Sequence, residues 1–427
     1  MPFPVVLVGR LLASAAHREP DDEDGERKRH AGFDKKPHHC LFFRRAVVAL
    51  SAVVGVACTP LPPSSPREPA RATFEPVAFT AIPGWSDDTL AEAWPSFLSG
   101  CRALLVQPAS AALWREPCVA ASAASPHDAT NVRAFFERHF NAYRVLAPDG
   151  SDTGLATGYY EPVLDGSRVR SERYRYPLFA PPDDLLTVDL GEVYPQLEGA
   201  RVRGRLDGRR VLPYWSRADI EHGKARLSGK ELVFVDDPLE AFFLEIQGSG
   251  RIRLAEGGVM RLGYADQNGR PYRSIGRVLV ERGALRQEDA TMQGIQAWAR
   301  AHPDELAALL DENPSYVFFR EVAPDPDATI DGPIGTLGVP LAAGRSIAVD
   351  ARSIPLGAPL FLATRWPDSE RPIERLVLAQ DTGGAIRGPL RVDLFWGSGE
   401  EAATPAGRMR EPAKLWLLWP KAAAPPH

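Results

Sequence analysis

Apolar residues recur with two different periods along this chain. Between Trp85 and Leu105 they fall at Leu90, Trp94, Phe97, Cys101 and Leu104, the spacing of a helix packed on one side. Pro95 divides that stretch into two short helices, the second starting at the proline. From Asn131 to Val145, the positions Val132, Phe135, Phe136, His139, Phe140 and Tyr143 predict another amphipathic helix, with His139 packed in the core. From Gly154 the texture changes to short runs broken by turns: LATGYYEPVLDG, RYPLF, LVFVDD, AFFLEIQGSGRIRL and VMRLGYADQNGRPY. These read as strands, and Asp207-Gly208 and Asn268-Gly269 read as hairpin turns. A helical interval runs from Ser274 to Leu310 and stops at Asn313-Pro314. Strands return in SYVFFREV, RSIAVD, LFLATRW, RLVLAQD, LRVDLFW and KLWLLW. The whole predicts a mainly β protein, a barrel or sandwich decorated with helices.

One strand breaks its own pattern. In LRVDLFW, Leu390, Val392, Leu394 and Trp396 alternate onto one face, and Arg391, Asp393 and Phe395 onto the other. An acid at Asp393 is no turn former, because no turn residue follows until Gly397. Its position suits a strand that lines a cleft. Asp381 ends the strand RLVLAQD and Asp350 ends RSIAVD, where a turn-forming role competes with chemistry.

The N-terminal part is of another kind. Residues 1–39 carry the mixed charge run DDEDGERKRH without an apolar period. FFRRAVVALSAVVGVAC then reads as an export signal, with Arg44 and Arg45 ahead of the apolar core Ala46–Val56. Gly-Val-Ala before Cys58 resembles a bacterial lipoprotein cleavage site, with Cys58 as the acylated residue and Gly55 standing where Leu or Val is usual. The segment ahead of this signal is out of place, which a misassigned start codon would explain. Residues 1–58 are thus a leader with its signal, and 59–75, rich in proline, a tether. A net charge of −5 offers no electrostatic case for nucleic acid. No run of eighteen apolar residues is present, so no membrane span is predicted. Cys101 and Cys118 can close one disulfide or lie as two buried thiols, and export favours the disulfide. The nine histidines show neither HxxxH nor HxH spacing, so no metal site is expected.

Several motifs occur together in order: TGYYEP at 157–162, YWSRADIEHG at 214–223, EAFFLEIQGSG at 240–250, YADQNGRPYRSIGRVLVERG at 264–283, NPSYVFF at 313–319, and AVD, DTGGAIRG and VDLFWGSG within 348–399. In these the chain resembles the membrane-bound lytic transglycosylase A family, which cuts peptidoglycan. The resemblance covers residues 76–420. It implies a double-psi β-barrel catalytic domain formed by 76–160 and 246–420, whose three-aspartate part spans about 330–420, with a smaller β-rich domain inserted at 161–245. It also implies that Asp350, Asp381 and Asp393 are the family's three aspartates.

The implied reaction cleaves the bond between N-acetylmuramic acid and N-acetylglucosamine and leaves a 1,6-anhydro sugar. It needs a proton for the leaving oxygen and passes an oxocarbenium-like transition state. An ordinary aspartic acid, with pKa about 3.9, is protonated about one time in a thousand at pH 7; raising that pKa by about two units makes it roughly one in ten. Burial beside Phe395 and a second carboxylate can do this, so Asp393 is the expected acid and then base, tuned by Asp381, with Asp350 third. Sugar contacts are expected from Thr157, Tyr159, Tyr160, Gln247, Gly248, Ser249, Gly250, Tyr264, Tyr272 and Arg273. No cofactor is implied. The expected partners are peptidoglycan glycan strands and, through Cys58, the outer membrane facing the periplasm; the chain is expected to be a monomer. Two rivals remain at this level: a hydrolase on the same barrel, and a non-catalytic peptidoglycan-binding, expansin-like protein.

Overall fold

The computed structural model describes residues 72–426 except 125–128, 195–201, 326–328 and 385. The leader, Cys58 and most of the tether lie outside the described residues.

The main sheet has eight strands in the order Thr73–Val77, Phe140–Leu146, Arg410–Pro420, Pro359–Arg365, Pro372–Asp381, Ser346–Val349, Arg391–Ser398 and Gly154–Glu161. The long strand Arg410–Pro420 is shared. Its later half pairs with Phe140–Leu146 and Pro359–Arg365, while Arg410–Ala413 pair back onto Gly154–Thr157. Hydrogen bonding therefore closes through six strands. Two of the pairings are parallel, Ser346–Val349 with Pro372–Asp381 and Arg391–Ser398 with Gly154–Glu161. Pro359–Leu362 and Leu376–Gln380 are buried without interruption, which is why those stretches read as continuous apolar runs rather than alternating ones.

Helices cover this sheet. A 3-10 turn at Leu90–Ala93 leads into the helix Trp94–Val106, with Pro95 in its first turn, where its missing N–H costs nothing. Pro108–Ala123 follows, and Cys101 and Cys118 join the two helices by a disulfide. The next helix is shorter than its pattern suggested. It ends at His139, and Phe140–Leu146 is a strand between Thr73–Val77 and Arg410–Pro420. Aromatic and β-branched residues with two partner strands outweigh a helical spacing that persists by chance. His139 packs 4.5 Å from the Phe135 ring and meets Glu116 at 2.8 Å.

A second sheet has the order Val317–Glu321, Val259–Gln267, Ser249–Leu254, Val163–Ser167, Glu231–Val235 and Tyr176–Phe179. Segment 161–245 supplies half of its strands, and chain beyond 245 the rest. A small third sheet joins Leu186–Val188, Val202–Asp207 and Arg210–Pro213. Its hairpin turns at Asp207-Gly208, with Asp207 opposite Arg210 and Gly208 at φ +58°. Asn268-Gly269 makes no hairpin. The buried Asn268 amide donates to the carbonyls of Trp215 and Pro314, and its oxygen accepts from the amides of Arg270 and Tyr316, so the residue ties a crossing of chain segments. The strand reading of AFFLEIQ is also corrected: Pro238–Gln247 is a helix. Asp237 caps it by accepting from the amides of Leu239 and Glu240, Pro238 opens it, and Gly248 closes it at φ +78°. Those end signals outweigh its apolar run.

Candidate active site

The central strand Ser346–Val349 aligns the acids. Ala348 lies opposite Asp393 on one neighbouring strand and opposite Asp381 on the other. With strands about 4.8 Å apart, the two aspartate backbones stand roughly 10 Å from each other in one row. The parallel strand Gly154–Glu161 then places Thr157 beside Asp393. Thr157 Oγ1 donates to Asp393 Oδ1 at 2.6 Å. Two residues along, on the same face, Tyr159 Oη donates to Asp381 Oδ2 at 3.1 Å. The Tyr159 ring sits 5.3 Å from that of Phe395. The other oxygen of Asp381 accepts from Thr336 through its amide at 2.9 Å and its hydroxyl at 2.8 Å.

The two carboxyls are therefore held differently. Burial pushes Asp393 up to about 6; the Thr157 bond and the Arg391 charge pull it down, and Asp381 pushes it further up. Burial also raises Asp381, against hydrogen bonds from Thr336, Thr382 and Tyr159 that favour its ionised form. Tyr159 is driven well above the ordinary tyrosine range by burial and by both carboxylates, so it remains a donor. Asp393 is partly exposed, which leaves a ligand access to it.

Asp350 stands apart. It is 4% exposed, and its carboxylate accepts from Arg352 Nε at 2.9 Å, Arg352 Nη2 at 2.7 Å and the Gly388 amide at 2.8 Å. Burial would raise its pKa, but these donors hold it below the ordinary value. It anchors the segment that follows Asp381.

The expected sugar-contact residues divide. Thr157 and Tyr159 reach the carboxyls. Tyr160 points to the opposite side of its strand, 6% exposed, with Oη 3.6 Å from Met292 Sδ and its pKa raised by burial to about 12. Its amide donates to Gln247 Oε1 at 3.3 Å, so the helix end carrying Gln247 is fixed to this strand. Gly248 is the helix cap and Ser249 opens the next strand. A Cβ on Gly250 would lie 2.5 Å from Leu244 Cδ1, so close packing requires glycine there. Tyr264 lies in the second sheet opposite Phe319. Tyr272 is 54% exposed, and Arg273 pairs with Glu281 and Glu312. Trp396 departs from the expected alternation. The register shifts after Phe395, so Phe395 is buried while Trp396 is partly exposed against Trp366.

Sequence reasoning missed Thr336, which lies in PIGTLGV without any local signature. It also missed Glu161, 2% exposed, which accepts from Arg251 Nε and Ser398 Oγ, both at 2.6 Å. The acid inside TGYYEP, with an arginine in GSGRIR, was the available signal. A cleft of about 490 Å³ opens at this junction, lined in part by Arg251, Asp331, Leu341, Phe395, Gly397 and Ser398. Among the described residues no cluster of three or more His, Cys, Asp and Glu side chains could hold a metal ion.

Burial thus raises Asp393 toward 6 with Asp381 nearby, and protonating a glycosidic oxygen near neutral pH asks for an acid raised in this way. The family comparisons agree. Residues 155–320 match the model of the MltA specific insert domain, and residues 345–419 match the 3D domain. Membrane-bound lytic murein transglycosylase A of Escherichia coli K12 is 32% identical over 299 residues, 68% of this chain and 72% of that protein. The crystal structure of MltA from Neisseria gonorrhoeae is 39% identical with a TM-score of 0.73, covering 83% of this chain and 94% of that one. That of E. coli MltA with bound chitohexaose is 26% identical with a TM-score of 0.59, covering 82% and 94%. The chain belongs to the membrane-bound lytic murein transglycosylase A family.

Proposed function

We propose that this protein is a lytic transglycosylase that cleaves the MurNAc-β-1,4-GlcNAc bond of peptidoglycan. The observation that carries the reading is Asp393, raised to about 6 by burial and bonded to Thr157 on one oxygen. At pH 7 roughly one molecule in ten then holds the proton. Asp393 gives that proton to the glycosidic oxygen as the bond to the muramoyl C1 breaks. The muramoyl C6 hydroxyl closes on C1, and its proton returns to Asp393. One bond breaks, one forms, no water is consumed, and a 1,6-anhydromuramoyl end results.

Asp381 acts through its charge. Its oxygens are occupied by Thr336 and Tyr159, which disfavours it as a base for water and so disfavours hydrolysis. Asp350 positions the loop through Gly388. Glycan binding is supported by the relative whose structure holds chitohexaose. Gln247, Gly248, Ser249 and Gly250, fixed to the strand Gly154–Glu161 through the Gln247 bond to the Tyr160 amide, are assigned to nearer sugar contacts, and Tyr264, Tyr272 and Arg273 to more distant ones.

The closed strand pairing with its two parallel pairs supports a double-psi β-barrel, with the second sheet as the inserted module. Against the insert read as 161–245, the pairing of its strands with Ser249–Leu254, Val259–Gln267 and Val317–Glu321 supports an inserted module reaching to about 321. We place the protein in the periplasm as a monomer anchored to the outer membrane through Cys58. The cysteine motif and the membrane-bound relatives support this, and no helix among the described residues is long and apolar enough to cross a membrane.

The test is mass spectrometry of material released from purified sacculi. Anhydromuramoyl ends are expected from the wild type and none from Asp393→Asn, which should still bind sacculi. Reducing ends would make it a hydrolase. Binding without any release by the wild type would make it a non-catalytic wall-binding protein.

A further inference from the structure

Arg391 stands two residues before Asp393 on the same strand face, so the two backbones are about 6.6 Å apart. Its guanidinium is held by carbonyls alone. Nη1 donates to the Val392 carbonyl at 2.6 Å and to the Leu155 carbonyl at 3.4 Å. Among the described residues no carboxylate forms an ion pair with it, and its Nε and Nη2 have no hydrogen-bond partner. It is half-buried, so those donors are fixed at the edge of the acid site rather than swinging in solvent. An arginine presents five N–H donors in a rigid fork suited to carboxylate and carbonyl oxygens. Here two anchors orient the fork and leave the remainder unused.

We propose that Arg391 is a specificity-determining residue that grips an oxygen of the lactyl-peptide group on the muramoyl ring seated at Asp393. This rests on the lytic transglycosylase reading and goes beyond it. The two sugars of the strand differ in that only the muramoyl ring carries, at O3, an ether-linked lactyl group ending in a carboxylate or an amide carbonyl. A ring placed with its C1 and C6 hydroxyl at Asp393 puts that substituent within a side chain's reach of the same carboxyl. Arg391 would read it there and so fix which of the two alternating bonds is cut. Other groups act at this place as well. Asp381 and Tyr159 face Asp393, and Arg410, across the intervening strand Gly154–Glu161, repels Arg391.

Affinity in the Asp393→Asn background tests this without turnover. The probes are chitohexaose, which has no lactyl group, and a hexasaccharide alternating N-acetylglucosamine with N-acetylmuramic acid. Adding Arg391→Gln is expected to weaken the muramoyl probe roughly ten- to a hundredfold, the range for one hydrogen bond to a charged group. Chitohexaose binding should stay within about twofold, and Arg391→Lys should recover part of the loss. Equal weakening of both probes, or of neither, overturns the assignment. So does an Arg391→Gln effect confined to the pH midpoint of the otherwise wild-type enzyme. If neither probe binds even with Arg391 present, the glycan reading itself fails, which is a distinct result.

Discussion

Replacing Asp393 by asparagine should remove activity and also make the fold more stable, by an amount that depends on pH. The folded pKa of about 6 lies above the ordinary 3.8. Below pH 3.8 the carboxyl is protonated in both folded and unfolded chains, so it contributes no difference. Between 3.8 and about 6 the folded state keeps a proton that the unfolded state has lost, and stability falls as pH rises. Above 6 the group is ionised in both states, and the full penalty of a charge in a desolvated place remains. That gap corresponds to ~3 kcal/mol at neutral pH, or ~2 kcal/mol after allowing for the part of Asp393 open to solvent. Asparagine is neutral throughout, keeps the shape, and can still accept from Thr157. The variant should therefore match the wild type at pH 4 and exceed it by ~2–3 kcal/mol at pH 7. Denaturant unfolding of both proteins at pH 4, 5, 6 and 7 measures this. A difference that stays flat across the series, or a variant less stable at pH 7, would refute the claim that Asp393 is a desolvated acid.

Two further substitutions follow from the same geometry. Thr157→Val deletes the donor to Asp393 Oδ1. The ionised form loses that support, so the midpoint above which kcat/KM declines should move up by about one to two pH units; an unmoved or lowered midpoint on a glycan-release assay contradicts the role. Asp350→Asn weakens the anchoring by Arg352 and Gly388 without touching Asp393. It should reduce kcat by roughly tenfold, the loss that ~1.4 kcal/mol of misplacement gives, while the pH midpoint stays put. A shifted midpoint would instead put Asp350 in electrical contact with the acid.

Much of the architecture was legible locally, because strand and turn signals act between near neighbours. The runs ending in Asp350 and Asp381, and LRVDLFW, are strands as their alternation or apolar continuity implied. The Asp207-Gly208 turn followed from the left-handed backbone it needs. One helix and one helix end were misjudged, for different reasons. Pro238–Gln247 had its Asp, Pro and Gly signals in place, but its apolar run masked them. Phe140–Leu146 became a strand because partners from residues 73–77 and 410–420 pair with it, which no local window contains.

The sequence by itself determined that an acid would sit at Asp393 on the strand face opposite the main apolar set, since a period of two leaves it no other face, and the ordered motifs pointed to the family. Only the tertiary structure decided how that acid differs from the other two. Thr157 is brought to it from 236 positions away and Thr336 to Asp381 from 45, while Asp350 is occupied by Arg352 and Gly388. Whether a carboxyl is a proton donor depends on what surrounds it in space, and those surroundings are assembled by a sheet that pairs the chain's middle with its end.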